Sequence, residues 1–133
     1  MGTNLKSFNS AVTSAAKKIT KKDIPKFITM VSLEVFRRII LRTPVDTGRA
    51  RGNWQIEIGK AAEGILEVFP EEANEVIQRE QGKLIDIKPF SIIHITNNVE
   101  YVYYLEYDKR SSQHPEGMVE ITLVEMKDWA SKI

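Results

Sequence analysis

Apolar residues recur at three- and four-residue intervals in three parts of the chain, which is the spacing of one helix face. The first of these parts predicts an amphipathic helix over residues 4–19. The last begins at Pro115, which suits a first helical turn, and predicts a C-terminal helix. The apolar face of that helix would consist of Val119, Leu123, Met126, Ala130 and Ile133.

The second apolar periodicity predicts a longer helix with defined ends. Asp23 can cap its start, and Pro25 lies in the first turn, where a missing N–H is tolerated. Because Pro44 disfavours the helical conformation at the preceding Thr43, the helix is expected to end near Arg42.

Alternation with a period of two follows this helix and predicts a small antiparallel sheet. Trp54–Ile58 alternates as a half-buried strand, and Ile65–Phe69 is expected to pair with it as a hairpin. Further strands are predicted over Leu84–Ile87 and Ser91–Thr96. The segment Glu71–Gln81 fits either a short helix or a mobile loop.

Three further features of the pattern bear on the fold. Tyr101–Tyr107 fits both a helix and a strand, so its secondary structure stays open. The turn Thr43–Gly48 predicts a positive φ at Gly48, and the alternation after it predicts a buried Trp54. Together the elements predict an α+β fold with N-terminal helices, one of them long, a small antiparallel sheet and a C-terminal helix.

The composition of the 133 residues suits a single globular domain with one core. Within it, residues 1–22 could form a separate basic helix, with residues 23–133 as the main body. The chain has no cysteine, which excludes disulfides and cysteine-based metal sites, and no apolar run approaches the length of a membrane span.

Charge is unevenly distributed along the chain. Residues 1–54 carry 11 Lys and Arg against 3 Asp and Glu, whereas residues 55–133 carry 8 against 15. Because an acidic half would repel phosphate, this asymmetry favours a partner with complementary patches, or self-association, over binding to nucleic acid. In self-association we expect copies of the chain to meet head-to-tail. The basic face is expected from Lys17, Lys18, Arg37, Arg38 and Arg42, and the acidic face from Glu71, Glu72, Glu75 and Glu80.

The residues able to exchange protons are His94, His114, Asp46 and Glu106, and no spacing ties them into a catalytic group. No nucleophile motif, P-loop or dinucleotide-binding pattern accompanies them. We therefore expect no enzymatic activity, no cofactor and no metal ion. Two alternatives stay open: a nucleic-acid-binding accessory protein that uses the basic half, and a small hydrolase.

Two blocks of the sequence resemble a known family. The first block, Arg42–Gln55, reads RTPVDTGRARGNWQ and is similar to the TPVDTGR…NW signature of bacteriophage minor tail and tail-completion proteins, the minor tail protein Z-like group. The second block, Asn97–Tyr107 followed by Gln113–Val119, resembles that family's later block in the same order. Two positions depart from the family pattern: Asp108 replaces a usual Gly, and Val102 replaces a small residue.

This resemblance implies a structural protein of the virion that is made in the bacterial host cytoplasm. It would complete the tail or join head to tail in a long-tailed phage or prophage, through contacts with other tail or neck proteins. In the particle it would form a homo-oligomeric ring, and an isolated subunit could still be a monomer; membrane and nucleic acid are not expected partners. The motif residues would then have structural roles: Thr43, Pro44, Val45, Asp46, Thr47, Gly48, Arg49, Asn53, Trp54, Tyr101, Leu105, Glu106, Tyr107, Pro115, Gly117 and Met118.

Overall fold

The computed structural model describes residues 2–85, 87–89, 91–108 and 117–133, and its architecture is α+β, as predicted. The α-helices are α1 (Gly2–Ala16), α2 (Ile24–Arg42), α3 (Arg49–Gly52), α4 (Ala73–Gln81) and α5 (Val119–Ser131). The strands are β1 (Gln55–Ile58) and β2 (Ile93–Thr96). Short 3-10 turns cover Lys21–Asp23 and Gly82–Leu84, and a π-helical turn covers Tyr104–Asp108.

Helix α2 has the ends that its sequence predicts. Pro25 occupies the first turn, and the helix stops at Arg42 because Thr43 adopts an extended conformation with ψ 122°. The side chain of Asp23 does not cap the helix; its carboxylate instead accepts a hydrogen bond from the Thr20 hydroxyl at 2.8 Å. The buried face of α2 is formed by Phe27, Val31, Val35, Phe36, Ile39 and Ile40.

Helix α1 packs along α5, while α2 contacts both α4 and α5. Val12 and Ala15 of α1 are buried in the same core cluster as Met126 and Ala130 of α5. The first helix was predicted over residues 4–19, whereas α1 spans Gly2–Ala16 and so ends three residues earlier than predicted. In the part of the chain that the structure describes, no helix is long and apolar enough to cross a membrane.

The two strands pair antiparallel, with Gln55 opposite Thr96 and Ile58 opposite Ile93. On the other side of β1, side chains of α4 take the place of a third strand. The Glu80 carboxylate accepts the Ile56 backbone N–H at 2.8 Å, and Arg79 donates to the Trp54 carbonyl at 3.0 Å. This edge of β1 is therefore closed by a carboxylate and a guanidinium.

That closure explains why the predicted hairpin between Trp54–Ile58 and Ile65–Phe69 is wrong. Ile65–Phe69 forms no strand, because the edge of β1 that it would need is already hydrogen-bonded to α4. The other edge of β1 pairs with β2. Ile58 was expected to share the buried face of Trp54, yet it is 38% exposed because it lies at the end of the short strand.

Other predicted elements differ at their boundaries or in type. The strand predicted over Leu84–Ile87 is wrong for its described residues, since Leu84 ends a 3-10 turn that buries its side chain and neither Ile85 nor Ile87 lies in a strand. Asp86 lies outside the described residues. The strand predicted over Ser91–Thr96 begins only at Ile93. Glu71–Gln81 contains the helix α4, and Tyr101–Tyr107 is helical where it leads into the π-helical turn.

Candidate functional site

The turn of the first block is held together by Thr43 and Trp54, which are both buried. The Thr43 hydroxyl donates to the Ile39 carbonyl at 2.8 Å and accepts the indole N–H of Trp54 at 2.8 Å. One hydroxyl therefore ties the last turn of α2 to the residue that precedes β1. The predicted burial of Trp54 is confirmed, with 5% of the residue exposed.

Gly48 has the positive φ that the turn predicts, at 88°. A Cβ atom at this position would lie 2.5 Å from the Pro70 carbonyl oxygen, so both the backbone conformation and the available space require glycine. Helix α3 starts immediately afterwards, and the Thr47 hydroxyl accepts the Arg49 N–H at 3.3 Å. The remaining turn residues Pro44 and Val45 are half-buried, and Asp46 is exposed.

Asn53 is fully buried and bridges two segments of backbone. Its amide nitrogen donates to the carbonyls of Arg49 and Leu66, at 2.8 and 3.0 Å. Its amide oxygen accepts the Leu66 N–H at 2.6 Å. The side chain thus supplies Leu66 with both hydrogen bonds that a neighbouring strand would otherwise make.

The two blocks meet at Arg49. Its guanidinium contacts the Glu100 carboxylate at 3.0 Å and lies 6.0 Å from the centre of the Tyr101 ring. The hydrogen bond from Arg49 lowers the pKa of Glu100 below its ordinary value. Beside this pair, the side chain of Asn97 donates to the Ala50 carbonyl at 2.8 Å, which joins the second block to α3.

Glu106 caps the start of α5 from a distant position in the sequence. Its carboxylate accepts the backbone N–H groups of Met118, Val119 and Glu120 at 2.8 to 3.0 Å. A negative charge at a helix N-terminus is favourable because the helix dipole is positive there. Gly117 has φ 85°, and a Cβ atom on it would lie 2.9 Å from the Glu106 carbonyl oxygen.

The neighbours of this cap in the motif have different surroundings. Leu105 is half-buried against the core, and Met118 is fully buried. Pro115 and His114, which the sequence singled out, lie outside the residues that the structure describes.

The four tyrosines of the second block are exposed, and we call them the tyrosine surface: Tyr101, Tyr103, Tyr104 and Tyr107. The ring centre of Tyr103 lies 4.6 Å from that of Tyr107 and 6.0 Å from that of Tyr104. Partial burial and the nearby carboxylates of Glu120 and Glu106 raise the pKa of Tyr107. Tyrosine combines a large apolar body with a polar tip, so it is enriched at protein interfaces.

The two charged faces expected from the sequence are smaller than predicted. Arg38 and Arg42 both bind Glu125 of α5, at 3.1 and 2.7 Å, and so neutralise charge across the two halves of the chain. The hydrogen bond from Arg42, and to a smaller extent that from Arg38, lowers the pKa of Glu125. Glu80, expected on the acidic face, is buried against β1.

The residues considered for catalysis do not converge. His94 is half-buried on β2, Asp46 is exposed in the turn, and Glu106 is engaged in the cap. Within the described ranges, no group of three or more His, Cys, Asp or Glu side chains could hold a metal ion. An open groove between α1 and α5 is lined by Lys6, Lys18 and Lys127 together with small residues.

Sequence reasoning did not identify what the two buried glutamates bind. Glu80 was assigned to a surface, and Glu106 was considered both as a proton-transfer group and as a structural residue of the motif. Neither role carries a local signal, because the N–H groups that these carboxylates bind lie 12 to 14 residues from Glu106 and 24 residues from Glu80.

No protein-family model, curated protein or solved structure matches the chain.

Proposed function

We propose that this chain is a structural assembly protein of a long-tailed bacteriophage or prophage, which completes the tail or joins it to the head. It acts as repeated copies in a ring and binds neighbouring tail or neck proteins. The proposal rests on what the side chains of the motif residues bind. Thr43, Asn53 and Glu106 all bind backbone groups of their own chain, so they fix a shape.

The contact between the two blocks supports the same proposal. Arg49 of the first block binds Glu100 and faces Tyr101 of the second block. Residues that resemble one family in two separate stretches are therefore parts of one local structure. A protein that works through shape needs this kind of internal support, and the exposed rings of the tyrosine surface offer area for a partner.

The test is to remove the gene from the phage or prophage that encodes it and to image the products by electron microscopy. We expect heads and tails that fail to join, or tails that are unfinished, and restoration of normal particles when the gene is supplied in trans. Mass spectrometry of purified wild-type particles should detect the chain. Normal particles in its absence would contradict the proposal.

A paired substitution tests whether the tyrosine surface contributes. Tyr103 and Met30 are both at least half exposed, at 60% and 50%, so neither replacement by Ala should unfold the chain. We expect Tyr103→Ala to reduce the yield of complete particles and Met30→Ala to leave it unchanged. Equal yields from the two variants would remove the tyrosine surface from the proposal.

A further inference from the structure

The outer edge of β2 presents backbone groups that no described residue pairs, in contrast to the edge of β1 that α4 closes. The Gly59 N–H donates to the Ile92 carbonyl at 2.7 Å, which sets the alternation of hydrogen bonds between the strands. In an antiparallel pair, every second residue directs its N–H and C=O away from the partner. With the observed register, those residues of β2 are Ile93 and Ile95.

These outward groups have no hydrogen-bond partner among the described residues. All four residues of β2 are half-buried, none is Lys or Pro, and the preceding Ile92 is 64% exposed. Natural sheets usually protect an edge with charges, proline, bulges or a covering element, because an open edge accepts another strand. The edge of β2 lacks the first two of these protections.

The segment Ile65–Phe69 has the complementary property, since it is strand-like and has no strand partner. Its exposure alternates: Ile65, Glu67 and Phe69 are exposed, whereas Leu66 and Val68 are half-buried. That period of two is the signature of an extended chain. Apart from Leu66, whose two backbone groups bind Asn53, its backbone groups have no hydrogen-bond partner among the described residues.

Three side chains fix this segment in its own chain. Asn98 donates to the Gly64 carbonyl at 3.0 Å, Asn53 holds Leu66, and Arg51 donates to the Pro70 carbonyl at 2.8 Å. The segment is therefore presented in a defined place with its apolar residues Ile65 and Phe69 outward. An extended segment that is held in this way is available to another molecule.

We propose that Ile65–Phe69 of one copy pairs in parallel with the outer edge of β2 in a second copy. The pairing satisfies the backbone groups of Ile93 and Ile95 and covers the exposed side chains of Ile92 and Phe69. Because the two surfaces differ, the contact is head-to-tail and repeats from copy to copy, closing into a ring where the rotation allows. The inference rests on the proposed function only in that it identifies the contact between neighbouring copies in the proposed ring.

The test uses the absence of cysteine from the chain, so that each variant carries one thiol. In the parallel pairing, Glu67 of one copy lies opposite His94 of the other, because the outward backbone groups of β2 are those on either side of His94. Glu67→Cys and His94→Cys then place their side chains on the same face of the sheet. When the two variants are mixed and mildly oxidised, we expect about tenfold more mixed disulfide than from the control pair Glu67→Cys with Lys127→Cys. Lys127 is exposed on α5, away from the sheet.

A second measurement introduces a charged side chain at the outer edge of β2 to block strand pairing. Ile92→Lys should abolish the excess of mixed disulfide when it is combined with His94→Cys, because a lysine on an edge opposes strand addition. Met30→Lys, at an exposed position of α2, should leave the excess in place. Circular dichroism of each variant establishes that the chain is folded.

Equal mixed disulfide from the test and control pairs overturns the inference, whether the chain is monomeric or associates through another surface. Association through another surface would still leave the ring of the proposed function intact. Conversely, a strong Glu67→Cys with His94→Cys product from a chain that is absent from phage particles would support the strand pairing and contradict the proposed function.

Discussion

Two buried glutamates hold this molecule together in different ways. Glu80 is 2% exposed and binds the Ile56 N–H of β1 together with the cations of Arg79 and Lys83. Glu106 is 6% exposed and binds three consecutive N–H groups at the start of α5. The first carboxylate meets full charges, whereas the second meets the partial charge of a helix end.

The difference has an energetic consequence. Burial alone would raise the pKa of Glu80, but hydrogen bonds from Arg79, the Ile56 N–H and Lys83 outweigh burial and lower it. Removing Glu80 would leave a buried N–H unpaired and also two cations, which are about one-third exposed and can regain water. Removing Glu106 leaves only N–H groups, so the loss should resemble that of a helix cap.

The largest effect is expected from Trp54, which connects the Glu80 region to α2. Trp54→Ala would leave a cavity and remove the indole hydrogen bond to Thr43, so we expect a loss of about 3–5 kcal/mol in the free energy of unfolding. Urea denaturation measures it. The control is Trp129→Ala, since Trp129 is 36% exposed and should cost about 1 kcal/mol through its stacking on Phe27. Equal losses would show that Trp54 is not part of the core.

The next effect concerns Glu80 itself. Glu80→Ala should lower the free energy of unfolding by about 3 kcal/mol, because it leaves the Ile56 N–H without an acceptor and removes the partner of two cations. Glu80→Gln keeps an acceptor oxygen and should cost less. Gln78→Ala, at an exposed position of the same helix, should change stability by less than about 0.5 kcal/mol. A loss from Glu80→Ala no larger than from Gln78→Ala would mean that α4 does not close the edge of β1.

Glu106→Ala should be less costly than Glu80→Ala, at about 2 kcal/mol, since the loss is that of a buried helix cap. The matched control is Glu100→Ala, which breaks an exposed ion pair with Arg49 and should cost clearly less than Glu106→Ala. If Glu106→Ala were the more damaging of the two buried-glutamate variants, the contrast between charge and dipole compensation would be wrong.

These two regions also mark where the sequence is informative and where it is not. The ends of α2, the positive φ of Gly48 and the burial of Trp54 follow from local chemistry and were predictable. Ile65–Phe69 has a genuine strand pattern, yet its pairing depended on whether the edge of β1 was free. That edge is filled by side chains from α4, and no local pattern in residues 54–69 carries this information.

The candidate site divides in the same way. The resemblance singled out Thr43, Asn53 and Glu106 as a set, but periodicity could not say what each side chain binds. Their partners are backbone groups of the same chain, and Glu106 binds the start of α5 although 12 to 14 residues separate them in the sequence. The charge count also placed Arg42 on a basic face, although its guanidinium is bound to Glu125. A count along the chain cannot distinguish an exposed arginine from one that is paired.

A smaller effect isolates the space beside the Glu106 cap. Gly117 and Gly59 have nearly the same φ, at 85° and 84°, but only Gly117 has an atom in contact range of an added Cβ. Gly59→Ala should therefore cost about 1 kcal/mol from the backbone conformation alone. Gly117→Ala should cost about 1 kcal/mol more, because the added methyl group meets the Glu106 carbonyl. Identical losses would mean that the cap tolerates the extra carbon.

The smallest effect is the pH dependence that Glu80 contributes to the stability of the fold. Because the folded state lowers the pKa of Glu80 from the ordinary value of 4.5, its ionised form stabilises the fold above that value. This contribution decreases as the pH falls through the folded-state pKa, where the folded protein takes up the proton as well. The difference in the free energy of unfolding between the wild type and Glu80→Gln should thus be constant near neutral pH. By pH 4 this difference should narrow by less than about 1 kcal/mol.

Urea titrations at a series of pH values measure that difference and cancel the contribution of Glu125, whose pKa is also lowered. A difference that widens towards acid would reverse the sign and show that burial, not the hydrogen bonds from Arg79 and Lys83, dominates at Glu80.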